Sequence, residues 1–148
     1  SVVVGLSADE ASEIFDLRAL LEPEILRGAV PRMTEITKET AVVHCNDFSN
    51  SSDPLAWGAL NRIYHDTLYA DSTQTFTKEV ADKAMDRVDR YIRAVLLKGN
   101  GMEQAKHEHL AILEACLSGN ADLAADLLRD HILGAKKSLL ASFPTLPN

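Results

Sequence analysis

Four polar residues stand where helix faces would otherwise be apolar: Asn61, His65, His109 and His131. In LAWGALNRIYHDTLYA, Asn61 and His65 are four apart, so on a helix they lie one turn apart on the same face. Trp57, Tyr64 and Leu68 share that face and mark it as inward. His109, in QAKHEHLAILEACL, is in line with Ile112, Leu113 and Cys116; His131, in DLAADLLRDHILGA, is in line with Ala124, Leu127, Leu128 and Ala135. A polar group buried without a partner costs on the order of a few kcal/mol. Any single histidine here reads as a hydrogen-bonded core residue. Three of them on separate helices, with an amide at i,i+4, point instead to one shared partner. A divalent metal is the most economical, because imidazole suits Zn, Ni, Cu and Fe.

The stretches between these residues are helical in period. Ser7 and Glu10 form a capping box for a helix over about 8–29, with Ile14, Leu17, Leu21, Ile25 and Leu26 at helical spacing. Pro23 inside it predicts a kink, and Gly28 and Pro31 close it. A second helix is expected over about 32–48 with Met33, Ile36 and Val43 inward. Asp53 and Pro54 supply an N-cap and first residue for a third, about 54–70. The fourth follows Ser72/Thr73 to about Leu97 with Val80, Ala84, Val88, Tyr91 and Val95 as its stripe. Gly99-Asn100-Gly101 and Gly119-Asn120 are stop-start devices opening the fifth and sixth helices, about 101–118 and 121–142. Leu and Ala are abundant, aromatics make up only 5%, and β-branched runs are scarce, which favours helices over strands. The expected fold is an all-α antiparallel bundle of about six helices around a central polar or metal-holding cavity. Residues 1–6 read as a linker remnant, 7–143 as the domain, and 144–148 as the end of a frayed tail, SFPTLPN.

At 148 residues the chain is long enough for one core of ordinary size. Its net charge of −7, with no Lys/Arg-rich stripe, argues against nucleic-acid binding by this domain alone. Cys45 and Cys116 form neither a disulfide framework nor a CxxC pair and read as buried reduced thiols, which suits a cytoplasmic location. No apolar run approaches the length of a membrane span, and no signal-peptide pattern opens the chain.

Arg18, in IFDLRALLEP, lies one turn from Ile14, Leu21 and Glu22. Two readings stand level: a guanidinium that reaches inward and clamps a carboxylate ligand in bidentate fashion, and a salt bridge to Glu22. Arg90 on the fourth helix is a second candidate for the clamp, although Arg87, Arg90 and Arg93 together read mostly as a solvated face. His44, near the end of the second helix, and His107, on a face with Glu103 and Glu114, stand outside the site.

Taken together these residues resemble the FadR C-terminal (FCD) domain, the effector-binding helical bundle of GntR-type bacterial transcription regulators. EIFDLRALLEPEILRGA looks like that family's first-helix signature, and NRIYH like its [DN]-x-x-x-His motif. KHEHLAILEACLSGNADLAADLLRDHI looks like its closing pattern. The intervals of 44 residues from His65 to His109 and 22 from His109 to His131 also suit its metal-binding members. The resemblance covers about residues 7–141. It implies Asn61, His65, His109 and His131 as metal ligands, Zn or Ni as the ion, and Arg18 as an anchor for an effector carboxylate. Asn61 stands where the family more often has Asp, and a winged-helix DNA-binding domain normally precedes the module.

The function so implied is effector sensing. A small organic acid would complete the metal's coordination through carboxylate and hydroxyl oxygens, in a homodimer that reaches DNA only through the winged-helix domain. Three neutral imidazoles and one carboxamide give a 2+ ion no balancing anion, so the site is expected to be hungry for one. A metal-dependent hydrolase and a purely structural dimerisation bundle are the competing readings. Three protein ligands with an open position also describe a catalytic zinc site. Against the hydrolase, no general base stands out beside the histidines, since Glu108 adjoins His109 in sequence and successive helical residues point about 100° apart.

Overall fold

The structure is a computed structural model and describes residues 5–143. Among these residues it has no strand and six α-helices: α1 (Ala8–Ala29), α2 (Glu35–Asn50), α3 (Trp57–Tyr69), α4 (Thr75–Leu97), α5 (Gly101–Leu117) and α6 (Ala121–Ser142). Val30–Arg32 forms a 3-10 turn between α1 and α2. Local chemistry explains most boundaries. The Ser7 hydroxyl accepts the Glu10 N–H at 3.1 Å, and the Asn120 carboxamide accepts the Leu123 N–H at 3.1 Å, each satisfying a donor left free in a first turn. The end of α5 is a Schellman turn. Gly119 sits at φ +75°, its N–H reaches Cys116 O at 3.1 Å, and Asn120 N–H reaches Ala115 O at 2.9 Å. A side chain at Gly119 would be strained in that left-handed conformation.

Helix α1 is the hub, packed most extensively on α6 and α4 and also on α3. Its inward face carries Phe15, Arg18, Glu22, Ile25 and Leu26, while Leu17 turns partly to solvent. The helix runs through the buried Pro23 without interruption; the missing N–H leaves only the Ala19 carbonyl without its usual donor.

Several boundaries differ from expectation for identifiable reasons. Thr34 caps α2 by accepting the Thr37 N–H, so the helix opens at Glu35 rather than at residue 32. Met33 is buried but extended at φ −58°, ψ 123°, and therefore lies outside the helical register. The spacing that joined it to Ile36 and Val43 does not hold, and these two are 76% and 53% exposed. Ala41, Cys45 and Phe48 face the core instead. Before α3, the Asp53 carboxylate accepts the Leu55 N–H at 3.0 Å and holds Pro54–Ala56 as a turn, which delays the helix to Trp57.

The two ends of the domain meet at Tyr91. Leu6, expected in the lead-in, is buried, and its N–H donates to the Tyr91 hydroxyl at 2.8 Å. Helix α6 ends at Ser142, the expected bound, and Phe143 stacks on Tyr91 with centroids 6.2 Å apart. The rest of the lead-in and tail, residues 1–4 and 144–148, lies outside the described residues. Tyr91→Phe would strand the buried Leu6 N–H. Denaturant unfolding should show a loss of about 1–3 kcal/mol; an unchanged midpoint would show that this bond does not hold the segment down.

Candidate metal centre and cavity

Helices α3, α5 and α6 bring His65, His109 and His131 together: one ring nitrogen from each lies within 4.8 Å of the others. His109 is fully buried and His65 nearly so. The His65 and His131 rings stack with centroids 5.3 Å apart, and His109 stands edge-on to both at 5.1 Å. His65 Nε2 and His109 Nε2 are 3.2 Å apart, while His109 Nδ1 is buried with no hydrogen-bond partner among the described residues. Buried polar groups are rarely left so. Three converging ring nitrogens, two of them facing each other with at most one proton between them, make an incomplete hydrogen-bond network. They suit a divalent ion, for which neutral imidazole is a good ligand.

The rings are oriented from behind. His131 Nδ1 is 2.6 Å from Glu108 Oε1, and Glu108 also accepts from Gln104 at 2.8 Å. His65 Nδ1 lies 3.4 Å from the Tyr69 hydroxyl, which donates to Glu22 Oε1 at 2.6 Å. The other Glu22 oxygen accepts Arg18 Nε at 2.6 Å. Carboxylates that hold the far nitrogen of a ligating imidazole fix its tautomer and raise its basicity. Sequence reasoning missed Tyr69 and Glu108. Tyr69 follows His65 by four, a signal that was there to use. Glu108 meets His131 across two helices, which no local spacing announces. The 100° between neighbours that removed Glu108 from the His109 face is what turns it towards α6. Glu108 also corrects the expected charge deficit, because the protein places a carboxylate directly on one of the three imidazoles.

Electrostatics agree with neutral rings at His65 and His109. Burial pushes His65 well below its ordinary value, and His109, His131 and Arg18 push it further. Burial, then His131, does the same to His109. For Glu108, burial acts upwards, but hydrogen bonds from His131 and Gln104 outweigh it and hold the carboxyl below its usual range. Burial and the adjacent Glu22 carboxylate keep Tyr69 a protonated donor.

A cavity of about 210 Å³ opens beside the histidines. Arg18, Asn61, His65, Glu108 and His131 line it on one side, and Ile92, Val95 and Leu96 of α4 on another. Its wall is thus mixed rather than polar throughout. His109 is not on the wall. Arg18 satisfies both readings offered for it, being bonded to Glu22 and exposed to the cavity. Asn61, buried and one turn from His65, makes no hydrogen bond to a described residue and faces the cavity. Arg90 does not reach it. Its guanidinium lies over the Tyr91 ring and bonds the Tyr91 hydroxyl at 2.8 Å, beside the groove at Leu6, because position 90 falls on the solvent side of α4. His44 lies 3.8 Å from Asp47, and His107 is exposed, both away from the cluster.

This geometry can be set beside known proteins. A family model described as the FCD domain matches residues 13–134. The chain is 26% identical over 140 residues to BphR of Paraburkholderia xenovorans, an uncharacterized HTH-type transcriptional regulator; that alignment covers 88% of this chain and 57% of BphR. It is 20% identical over 142 residues to the HTH-type transcriptional repressor GlaR of Escherichia coli, covering 88% of this chain and 64% of GlaR. A crystal structure of a GntR-family transcriptional regulator from Pseudomonas syringae pv. tomato superposes with a TM-score of 0.85 at 20% identity, over 97% of this chain and 61% of that one. The chain belongs to the FCD domain family. It spans roughly three fifths of the length of the relatives it matches. No helix among the described residues is long and apolar enough to cross a membrane.

The depressed histidines set a sign for pH. In metal-free protein His65 and His109 stay neutral in the fold, whereas the unfolded chain protonates them near their ordinary value of 6.5. Stability is therefore fully present above about pH 6.5 and is lost as pH falls below it, by up to about 1.4 kcal/mol per histidine per pH unit. Urea unfolding in EDTA between pH 7.5 and 5 should show the decline. Replacing His109 by Gln should flatten it.

Proposed function

We propose that this domain senses a small organic acid through a bound divalent metal, Zn or Ni, held by His65, His109 and His131 with Asn61 beside them. The observation that carries this is the convergence of three ring nitrogens within 4.8 Å at the side of a cavity that also exposes Arg18. The metal supplies a Lewis-acidic anchor for an oxygen anion. The chain's own residues do the rest. Glu108 and Tyr69 orient two of the imidazoles, Glu22 holds the Arg18 guanidinium in place, and Arg18 offers its remaining donors to a carboxylate. Glu108 is engaged by His131 and Gln104, which supports a sensor over a hydrolase, since the nearest carboxylate is not free to act as a base.

The naming of the relatives as HTH-type regulators supports an output of the whole protein through DNA binding by a separate domain. The acidic FCD domain contributes the sensing and the dimer contact. Elemental analysis of protein purified without chelator should find about one Zn or Ni per chain. His109→Ala should lose most of it, and Asn61→Asp should tighten it by adding an anionic oxygen. Absence of metal from wild type, together with no thermal stabilisation on adding Zn or Ni, would sink the reading. Sedimentation at micromolar concentration should show a dimer with no salt-sensitive affinity for duplex DNA; a monomer would remove the dimer from the proposal.

A further inference from the structure

We infer that the acid this cavity takes is a monocarboxylate with an apolar body of about five to seven carbons, rather than a sugar acid or a dicarboxylate. The inference rests on the metal-and-acid reading above and goes beyond it by assigning the effector's class.

Three features of the wall lead there. The first is its asymmetry. Helix α4 contributes Ile92, Val95 and Leu96 to the cavity and no hydrogen-bonding side chain. On α6, Ile132 and Ala135 continue that apolar surface from His131. An effector with its carboxylate at the histidines and Arg18 therefore lays its remaining atoms against hydrocarbon. A polyhydroxylated body would strip hydroxyls of water against those side chains, with Asn61, Gln104 and Ser138 as the uncharged polar partners on the wall, fewer than its hydroxyls.

The second is charge. Arg18 is the one cationic guanidinium on the described wall, and its Nε is already committed to Glu22. The wall's carboxylate, Glu108, is bonded to His131 and Gln104. One effector carboxylate is matched by the metal and Arg18; a second would meet no further cation and would face Glu108.

The third is size. A dry cavity of roughly 150 Å³ holds a benzene molecule, so about 210 Å³ admits on the order of six to ten non-hydrogen atoms. That is the scale of hexanoate or benzoate.

Calorimetric titration of the zinc-loaded domain with acetate, butyrate, hexanoate, decanoate, benzoate, malate and gluconate tests this. Affinity should rise about fourfold for each methylene that enters the apolar wall, from acetate to hexanoate. Benzoate should bind in the hexanoate range, and decanoate should overfill the space and bind more weakly. Malate and gluconate should bind at least about tenfold more weakly than hexanoate. Val95→Thr keeps the side chain's shape at a half-buried position while adding a hydroxyl to the wall. It should weaken hexanoate several-fold, and by more than it weakens acetate, with zinc content as in wild type. Zinc-loaded protein that binds malate or gluconate as tightly as hexanoate, or shows a flat series from acetate to hexanoate, would overturn the assignment and leave the metal reading intact. Protein that takes up no zinc and binds none of the acids would overturn both.

Discussion

Three imidazoles, one arginine and one glutamate share the interior of a small helical domain, and the cost of burying them governs how its helices are placed. A buried polar group without a partner destabilises the fold by on the order of a few kcal/mol. His65, His109 and His131 come from three helices, and Arg18 and Glu22 from a fourth, so no one helix can satisfy them alone. Helices α1, α3, α5 and α6 must converge at one place. The chain Arg18–Glu22–Tyr69–His65 solves part of the problem inside the protein, with each link at 3.4 Å or less. Glu108 solves it for His131. The facing Nε2 atoms of His65 and His109 are what remains. That remainder is the physical case for a bound cation.

The site is closely packed on one side and open on the other. Behind the histidines lie Phe48 and Tyr64, both fully buried; Tyr64 donates to the His109 carbonyl at 2.7 Å and both rings pack against the His109 imidazole. Burial pushes the Cys116 thiol up to about 12 and raises Cys45 as well, so these thiols act as inert packing. In front, α4 offers only apolar side chains to the cavity. Helix α4 also carries Tyr91, where the entering segment at Leu6 and the end of α6 at Phe143 meet. One helix thus forms both a wall of the cavity and the clasp for the domain's two ends.

Much of this was legible in the chain. Helix existence and order followed from the apolar period and from stop-start signals such as Ser7 and Gly119-Asn120, because capping and left-handed turns are local and depend on residues only a few positions apart. The inward placement of His65 and His109 followed from their alignment with Leu68, Ile112 and Cys116. Where local signals competed, periodicity misled. Met33, Ile36 and Val43 look like one stripe, but the Thr34 cap and the extended Met33 break the register between them. Asp53-Pro54 looks like a helix start, but the Asp53 carboxylate folds the next three residues into a turn first.

What the sequence by itself determined is the set of chemical groups that must go inside and the helices that carry them. Those follow from side-chain type and i,i+4 geometry, which are properties of a few consecutive turns. Tertiary structure alone decided which groups meet. Glu108 pairs with His131 rather than with a neighbour on α5, Arg90 turns away to Tyr91 while Arg18 faces the cavity, and the cavity's far wall is hydrocarbon. Each of these depends on the rotation and approach of two helices distant in sequence. That approach is set by the packing of the whole core, and no window along the chain contains it.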